Sequence, residues 1–335
     1  MYREAAQAPA VVRGQLEANA GRAARLGERL RHSPPRAVVT IARGSSDHAA
    51  TFARYLIETR LGVLTSSAAL SVSSVYEVVP DLAGTVVLAI SQSGASPDLL
   101  SAVSRARSGG ARIIALVNAE SSPLAQLADD LLPLSAGPEL SVAATKSYIA
   151  SLAAIVHLTA AWTQDTALAA ALAAAPEQLS RAFELDWSAA VAHLIAANDL
   201  YVIGRGLGLG IAQEAALKFK ETCGLHAEAL SAAELRHGPM ALVRANFPLL
   251  MFTQNDESRP GVTQLAGELA AQGADVLVAG AEVARSTVLP SLAAHPVIEP
   301  LLFAQSFYRL ANALSLARGR DPDRPPHLSK VTATV

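Results

Sequence analysis

Short apolar runs alternate with helical segments along almost the whole chain, and the alternation occurs twice. The β-rich runs are RAVVTIA, GVLTSSAAL, GTVVLAI, ARIIALV and DLLPLS in the first half, then DLYVIG, LHAEALS, FPLLMFT, ADVLVAG and HPVIEPL. Helical patterns such as HAATFARYLIETR and SPDLLSAVSRARSGG lie between them. Continuous apolar strands separated by helices predict an α/β fold, with a parallel sheet covered by helices on both faces.

The two halves also match locally, which predicts two tandem α/β domains. VVTIARGSSDHAATFARYLI in the first half aligns with LYVIGRGLGLGIAQEAALKF in the second, each reading as strand, Arg-Gly turn and helix. A chain of 335 residues has room for both. We predict an N-terminal helical segment over 1–35, domains over 36–165 and 190–320, and a C-terminal tail over 321–335. The alanine-rich TQDTALAAALAAAPEQL is predicted to be a connecting helix.

Charge and composition exclude several classes of protein. A formal net charge of −2 argues against binding to nucleic acid, which requires a basic face. The most apolar segment, SYIASLAAIVHLTAAW, is too short and polar to span a membrane, and MYREAAQAP lacks the apolar stretch of a secretory signal. One cysteine cannot form a disulfide framework or a cysteine-rich zinc module. A cytoplasmic protein is therefore expected.

The glycine-rich segment GRGLGLG follows a strand and opens a helix, as in dinucleotide-binding proteins. Its spacing departs from G-x-G-x-x-G, and Glu228, about 20 residues further on, does not end a clear second strand. A tight turn with close backbone packing is the better interpretation.

The segment ISQSGASPDLL predicts a site for a phosphate monoester. Ser91, Gln92 and Ser93 follow a strand, and Ser96-Pro97 is a natural helix start. The simplest interpretation is a well-capped turn. However, hydroxyl groups at a helix N-terminus also favour an anion, and no lysine follows as in a nucleotide-binding Walker loop. The turn Arg43-Gly44-Ser45-Ser46 brings two more hydroxyls to the same edge of the sheet.

Titratable groups concentrate in ALKFKETCGLHAEALSAAELRHGP. Glu214, Lys218 and Glu221 share one helical face, and their spacing alone favours an exposed ion pair. Lys220 is predicted to face solvent. Cys223 is expected to be a small buried residue.

Two histidines in the same stretch differ in context. His226 begins an H-x-E pattern but lacks the P-C-x-x-C of zinc deaminases, so it and Glu228 are predicted to be structural. His237 precedes Gly-Pro and should lie near a loop, where functional histidines concentrate.

These and other motifs, taken in order, resemble the sugar isomerase (SIS) domain pair. The pair occurs in the isomerase half of glucosamine-6-phosphate synthase and in SIS-type glucosamine-6-phosphate deaminases. The pieces that carry the resemblance are the opening M-x-x-E-x-x-x-x-P, ISQSG, LVNAESSPLAQLAD, SVAATKSY, ALKFKE with HAE and ELRHGP, and DPDRPPHLSKVT. It implies two flavodoxin-like three-layer domains, each with a five-stranded parallel sheet, and a homodimer with shared active sites.

The resemblance also implies roles for individual residues. Those that would hold the phosphate are Ser46, Ser91, Gln92, Ser93 and Ser96. Ser45 and the backbone of Val142 would contact the sugar. Glu221 would move a proton between C1 and C2, His237 of the neighbouring subunit would open the ring, and Lys330 would reach the substrate carbonyl. Lys218 and Glu214 would form a supporting charged pair.

The chemistry suits these residue types. A carboxylate transfers protons, a histidine donates and accepts near neutral pH, and a lysine approaches a carbonyl or stabilises an oxyanion. No metal or redox cofactor is required.

The expected reaction is conversion of glucosamine 6-phosphate to fructose 6-phosphate and ammonia, without the glutaminase domain of the synthase. Ala144 stands where the synthase has a serine, so recognition of the sugar is expected to differ there. Two alternatives stay open. One is an isomerase or deglycase for another phosphosugar, such as a fructosamine 6-phosphate. The other is a non-catalytic phosphosugar sensor, although retention of Glu221, His237 and Lys330 favours catalysis.

Overall fold

The computed structural model describes residues 1–330, which form two compact units. The first-sheet unit contains residues 10–139, 146–173 and 328–330. The second-sheet unit contains residues 1–9, 140–145 and 174–327. Each unit is built around one parallel sheet.

Two helices, α1 (Tyr2–Ala5) and α2 (Ala8–His32), open the chain. The next elements build the first sheet: β1 (Val38–Ile41), α3 (Ser45–Leu61), β2 (Thr65–Ser67), α4 (Leu70–Ser74), β3 (Val86–Ser91), α5 (Pro97–Ser108), β4 (Arg112–Val117), α6 (Pro123–Leu127) and β5 (Asp130–Pro133). Helices α7 (Lys146–Thr163) and α8 (Thr166–Phe183) follow. The strand order is β2-β1-β3-β4-β5.

The second sheet has its own set of elements: α9 (Ser188–Leu194), β6 (Asp199–Gly204), α10 (Gly208–Lys218), β7 (His226–Ser231), β8 (Pro248–Phe252), α11 (Arg259–Ala271), β9 (Asp275–Ala279), β10 (Thr287–Leu289) and α12 (Glu299–Ala317). A π-helical turn (Phe219–Cys223) and two 3₁₀ turns (Glu234–His237 and Pro239–Leu242) interrupt the alternation. The strand order is β10-β9-β8-β6-β7.

Both sheets have the same topology. Counted within its own unit, each runs second, first, third, fourth and fifth strand, which is the flavodoxin-like order. The inner strands β3 and β8 are buried along their whole length, as expected when helices cover both faces. The predicted fold class, two five-stranded α/β domains, is confirmed.

Most predicted elements form, but the last predicted strand is wrong. HPVIEPL does not pair with a sheet, and the fifth strand is instead the short β10. Val297 and Ile298 are buried immediately before α12, which has Pro300 in its first turn. A short apolar run before a buried helix looks like a strand in sequence, and the proline was the signal for a helix start.

Two further expectations are confirmed. The alanine-rich connecting segment is helix α8, and one of the points at which the chain passes between the two units lies within it. The glycine-rich segment is a tight turn: Gly206 has a φ of +58°, and a Cβ added to Gly204 would lie 2.2 Å from the carbonyl oxygen of Gly208. Among the described helices, none is long and apolar enough to cross a membrane.

Candidate active site

The predicted phosphate-binding residues lie at the switch point of the first sheet. In this strand order the connections from neighbouring strands β1 and β3 leave in opposite directions, which opens a crevice at their carboxyl ends. The turn after β1 carries Ser45 and Ser46, and the turn after β3 carries Ser91 to Ser96. Helices α3 and α5 begin at these turns, so two helix N-termini meet the crevice.

An ion pair that the sequence analysis missed joins the two turns. Arg43 Nε donates to Asp98 Oδ2 over 2.8 Å, and the Asp98 side chain is 1% exposed. Asp98 Oδ1 also accepts from the backbone N–H of Leu99. An acid in the first turn of a helix usually signals only a favourable helix dipole, so the sequence did not reveal this contact.

The serine loop, Ser91 to Ser96, has a defined shape. The Ser91 hydroxyl accepts from the Gly94 N–H over 2.9 Å, and the Ser93 hydroxyl lies 3.4 Å from the Ala95 nitrogen. Ser96 is the N-cap of α5 and Pro97 its first residue, as predicted, but the Ser96 hydroxyl forms no capping bond with the helix. This arrangement leaves a hydroxyl beside the N–H groups at the helix start, where an anion is favoured.

Asp47 adds a carboxyl group to the first turn of α3. Burial raises the pKa of Asp47, and the nearby charges of His48 and Arg43 oppose the rise.

Glu214 and Lys218 are buried, which contradicts the exposed ion pair that their spacing favoured. Their side chains are 0% and 1% exposed, and Lys218 Nζ lies 3.3 Å from Glu214 Oε1. Lys218 Nζ also donates to Glu221 Oε2 over 2.6 Å. Tyr308 on α12, which the sequence analysis did not single out, donates its hydroxyl to Glu214 Oε1 over 3.0 Å. We call Glu214, Lys218, Glu221 and Tyr308 the buried charge cluster.

Local backbone geometry gives Glu221 a different environment from its partners. It lies in the π-helical turn Phe219–Cys223, a wider turn that occurs often at functional sites. Its side chain is 19% exposed, so the carboxylate can reach solvent while the lysine behind it is sealed. Burial alone would lower the pKa of Lys218, but the carboxylates of Glu214 and Glu221 raise it, and the ammonium stays charged.

The remaining predicted residues lie on separate elements. His237 is exposed at the end of the 3₁₀ turn Glu234–His237, just before Gly238, as expected for a histidine near a loop. Val142 lies in the segment 140–145, where its N–H donates to the carbonyl of Asp323 over 3.3 Å. Glu4, from the opening motif, accepts from the N–H groups of Leu140 and Ser141. The motif therefore has a structural role in holding this segment.

Lys330 lies in the first-sheet unit, with its Nζ 3.4 Å from Glu139 Oε2. The described contacts thus bring the predicted residues together in three groups, each within one unit: the two serine-bearing turns, the buried charge cluster, and the pair Lys330–Glu139.

Cys223 and Lys220 are placed as predicted, whereas the structural role of His226 and Glu228 stays a prediction. Cys223 is buried, and burial raises its thiol pKa to about 11, so it is a poor nucleophile. His226 and Glu228 are exposed on β7, and Lys220 is exposed. Within residues 1–330, no group of three or more His, Cys, Asp or Glu side chains is arranged to hold a metal ion.

The second sheet has an equivalent switch point, but the chain fills it with its own carboxylate. Asp256 accepts hydrogen bonds from the N–H and the hydroxyl of Ser258, just before α11. Gln254 Nε2 donates to the other Asp256 oxygen over 2.7 Å and to the carbonyl of Arg205 over 2.9 Å. The turn after β8, which corresponds to the serine loop after β3, thus carries a carboxylate whose oxygens accept from neighbouring residues of the same chain.

The chain is similar to known proteins over segments from both sheets. The SIS domain family matches residues 33–161 and 193–286. The glutamine–fructose-6-phosphate aminotransferase (isomerizing) of Aeropyrum pernix is 37% identical over 324 residues, which cover 89% of this chain and 51% of the enzyme. The chain thus spans about half the length of this curated relative.

Solved structures agree. A candidate phosphosugar isomerase from Silicibacter pomeroyi is 41% identical, with a TM-score of 0.92 over 96% of this chain and 99% of that one. The C-terminal domain of glucosamine-fructose-6-phosphate aminotransferase from Francisella tularensis is 26% identical, with a TM-score of 0.88 over 97% and 98%. A glucosamine-6-phosphate deaminase from Thermotoga maritima, 22% identical with a TM-score of 0.72 over 97% and 100%, shares the fold. Two sheets of one topology, the matching family segments and these relatives show that the chain belongs to the SIS domain family.

Proposed function

We propose that this chain is a SIS-type phosphosugar isomerase that converts glucosamine 6-phosphate to fructose 6-phosphate and ammonia. The observation that carries the proposal is the buried charge cluster. A partly exposed carboxylate, Glu221, backed by a sealed ammonium, suits a base that removes a proton from C2 of an open-chain sugar and returns it to C1. Together with passage of one proton from the amino nitrogen to O1, this transfer turns the 2-amino aldose into the C2 imine of fructose 6-phosphate. Addition of water to the C=N bond then releases ammonia and leaves fructose 6-phosphate.

The serine loop supports the choice of a phosphorylated sugar. Its hydroxyl groups and the start of α5 suit a phosphate monoester, as does the neighbouring turn with Ser45 and Ser46. In the second sheet Asp256 fills the corresponding position, so one phosphate position per chain is expected. Ser46, Ser91, Gln92, Ser93 and Ser96 are proposed to hold the ester, and Ser45 and the Val142 backbone the sugar.

Two further residues would complete the reaction. His237 is exposed and next to a glycine, which suits a group that protonates the ring oxygen of a neighbouring subunit's substrate. Lys330 would approach the carbonyl carbon or stabilise the oxyanion that forms during proton transfer. This assignment requires a homodimer.

A second candidate is an isomerase or deglycase for a different phosphosugar. Ala144 favours it, because a methyl side chain at this position cannot make the hydrogen bond that a serine would make to the sugar.

The deciding experiment incubates purified protein with glucosamine 6-phosphate and measures ammonia and fructose 6-phosphate. Parallel reactions contain fructose 6-phosphate, glucose 6-phosphate and fructosamine 6-phosphate. Stoichiometric ammonia and fructose 6-phosphate from the first substrate are expected. Turnover of another phosphosugar only would replace the deaminase with the second candidate, and no turnover of any would contradict an enzymatic role.

A further inference from the structure

Glu139 is a buried carboxylate that contacts the lysine of the C-terminal tail. Lys330 Nζ and Glu139 Oε2 are 3.4 Å apart, although 191 residues separate them in sequence. The Glu139 side chain is 0% exposed, whereas that of Lys330 is 25% exposed. The Lys330 ammonium thus lies between the buried Glu139 carboxylate and solvent.

Neighbouring groups hold the Glu139 carboxylate in place. Ser147 donates to it twice, from its backbone N–H over 3.2 Å and from its hydroxyl over 2.5 Å. Ser147 is in the first turn of α7, where the helix dipole also favours an anion. Because a buried carboxylate is costly without such partners, these contacts mark Glu139 as a fixed charge.

Lys330 lies on a part of the chain without regular secondary structure. Between the end of α12 at Ala317 and Lys330, the described chain forms no helix or strand. A lysine side chain is long and flexible, and its ammonium can adopt many positions unless a partner selects one.

We propose that Glu139 is a positioning residue that holds the ammonium of Lys330 in place for the reaction. The proposal rests on the proposed function, in which Lys330 meets the substrate carbonyl. Glu139 acts through Lys330: its negative charge selects one position of the ammonium from those the tail allows. Preorganised charge of this kind contributes most when the reacting group is already in place before the substrate arrives.

The contact can be tested without activity, because the chain has only four lysines. A brief pulse of acetic anhydride followed by peptide mass spectrometry gives the acetylation of Lys330 relative to exposed Lys220. In Glu139→Gln, which keeps an oxygen for Ser147 but loses the charge, this ratio should rise several-fold. The control Glu228→Gln removes an exposed carboxylate of the other unit, and its ratio should stay near the wild-type value.

An unchanged ratio in Glu139→Gln would overturn the contact. Circular dichroism checks that the variant folds. If it does not, Glu139→Asp, which shortens the side chain but keeps the charge, should give an intermediate ratio, and a wild-type ratio there would also count against the proposal.

The positioning role is tested by kinetics with the phosphosugar that wild type turns over. Glu139→Gln should lower kcat about tenfold and change KM less than about twofold, because the phosphate contacts are untouched. In a Lys330→Met background the same change should have no further effect on kcat. An equal loss in both backgrounds would show that Glu139 does not act through Lys330. If wild type turns over no phosphosugar, the proposed function fails, and the acetylation ratio still decides whether Glu139 holds the tail lysine.

Discussion

Lys218 is an ammonium sealed from water, and its charge depends on Glu214 and Glu221. Replacing it with methionine would leave the Glu214 carboxylate buried without a cation. We expect Lys218→Met to lower the free energy of unfolding by about 3–5 kcal/mol at neutral pH, as in other broken buried ion pairs. The raised pKa of Lys218 means that its stabilising charge is fully present below its unfolded-state value of 10.5.

Urea unfolding measures this loss, and the chain supplies a matched control. Lys220 is two residues away and exposed, so Lys220→Met should change stability by less than about 0.5 kcal/mol. Equal effects of the two changes would contradict a buried, paired Lys218.

Glu221 is the residue on which the proposed chemistry most depends. Replacing its carboxylate with an amide removes the base but keeps the size of the side chain. Glu221→Gln should slow exchange of the C2 proton with solvent deuterium by about 10²- to 10⁴-fold. NMR measures this exchange as deuterium incorporation at C2 of the phosphosugar in solution. Affinity for the phosphosugar should change little. The exposed Glu228→Gln serves as the control, and undiminished exchange in Glu221→Gln would remove Glu221 as the base.

At the scale of single elements, the serine loop depends on Gly94. Its φ is +63°, and an added Cβ would lie 2.3 Å from the Ser122 hydroxyl oxygen. Gly94→Ala should therefore lower the free energy of unfolding by about 1–3 kcal/mol and weaken phosphosugar binding. Gly62, at the end of α3, also has a positive φ, of +66°, but open space around it. Gly62→Ala should cost only about 1 kcal/mol and leave binding intact.

Chemical unfolding and calorimetric titration with a phosphosugar distinguish these two glycines. Wild-type affinity in Gly94→Ala would show that the shape of the serine loop is not needed for binding.

Helix α7 carries a histidine whose ionisation should make stability depend on pH. His157 lines a cavity of about 360 Å³ between α2, α7 and the start of α8, together with Arg31 and Asp165. Burial lowers the pKa of His157 from its ordinary value of 6.5. As the pH falls below about 6.5, the unfolded chain takes up this proton first, so the folded state should lose stability until His157 is itself protonated.

Thermal unfolding between pH 7.5 and 5.5 tests this. The fall in Tm should be smaller in His157→Gln than in wild type. The exposed His226→Gln is the control, and its profile should follow that of wild type. Identical profiles for wild type and His157→Gln would contradict the expected role of the half-buried imidazole.

Sequence patterns predicted helices and strands well where neighbouring residues decide the structure. They failed where the same pattern fits both a strand and the start of a helix. Nine of the predicted strand positions contain a strand, because alternating apolar runs and turn residues are local features. HPVIEPL was assigned to a strand because it is apolar. Buried strands and buried helix starts are both apolar, so this property does not distinguish them. The π-helical turn that holds Glu221 has no known sequence signature comparable to a cap or a turn, and it was not predicted.

At the scale of the whole molecule, the two sheets repeat one topology but differ at their switch points. The first offers hydroxyl groups and a helix start, whereas the second is filled by Asp256. Under the proposed function, the serine loop of the first sheet would hold the phosphate, and the buried charge cluster of the second-sheet unit would supply the base.

The proposed shared site predicts complementation between inactive subunits. In a symmetric dimer of Glu221→Gln and His237→Ala chains, one of the two sites keeps both native residues. Co-expressed chains with different tags, mixed statistically, should show about a quarter of wild-type activity, since half the dimers are mixed and half their sites are intact. Separately purified variants should stay inactive. Absence of recovery in purified mixed dimers would place His237 in the same chain's site or outside the site.

The sequence by itself determined the features that depend on neighbours along the chain. These are the alternation of strands and helices, the duplication, the N-cap at Ser96, the tight glycine turn and the order of motifs that predicted the SIS fold. The alternation, the cap and the turn follow from residue spacing and backbone preference, which act over a few residues, whereas the duplication and the motif order are read along the whole sequence.

Only the tertiary structure decided which charged groups are buried and which partners they have. Glu214 meets Tyr308 across 94 residues, Arg43 meets Asp98 across 55, and Glu139 meets Lys330 across 191. A helical stripe of Glu and Lys has the same spacing whether it faces water or a second helix. The spacing favoured an exposed pair, but α12 packs against α10 and buries Glu214 and Lys218. Burial removes water from these charges. Because an unsolvated charge is costly without a partner, the pairing of these groups, which spacing does not reveal, controls their stability and reactivity.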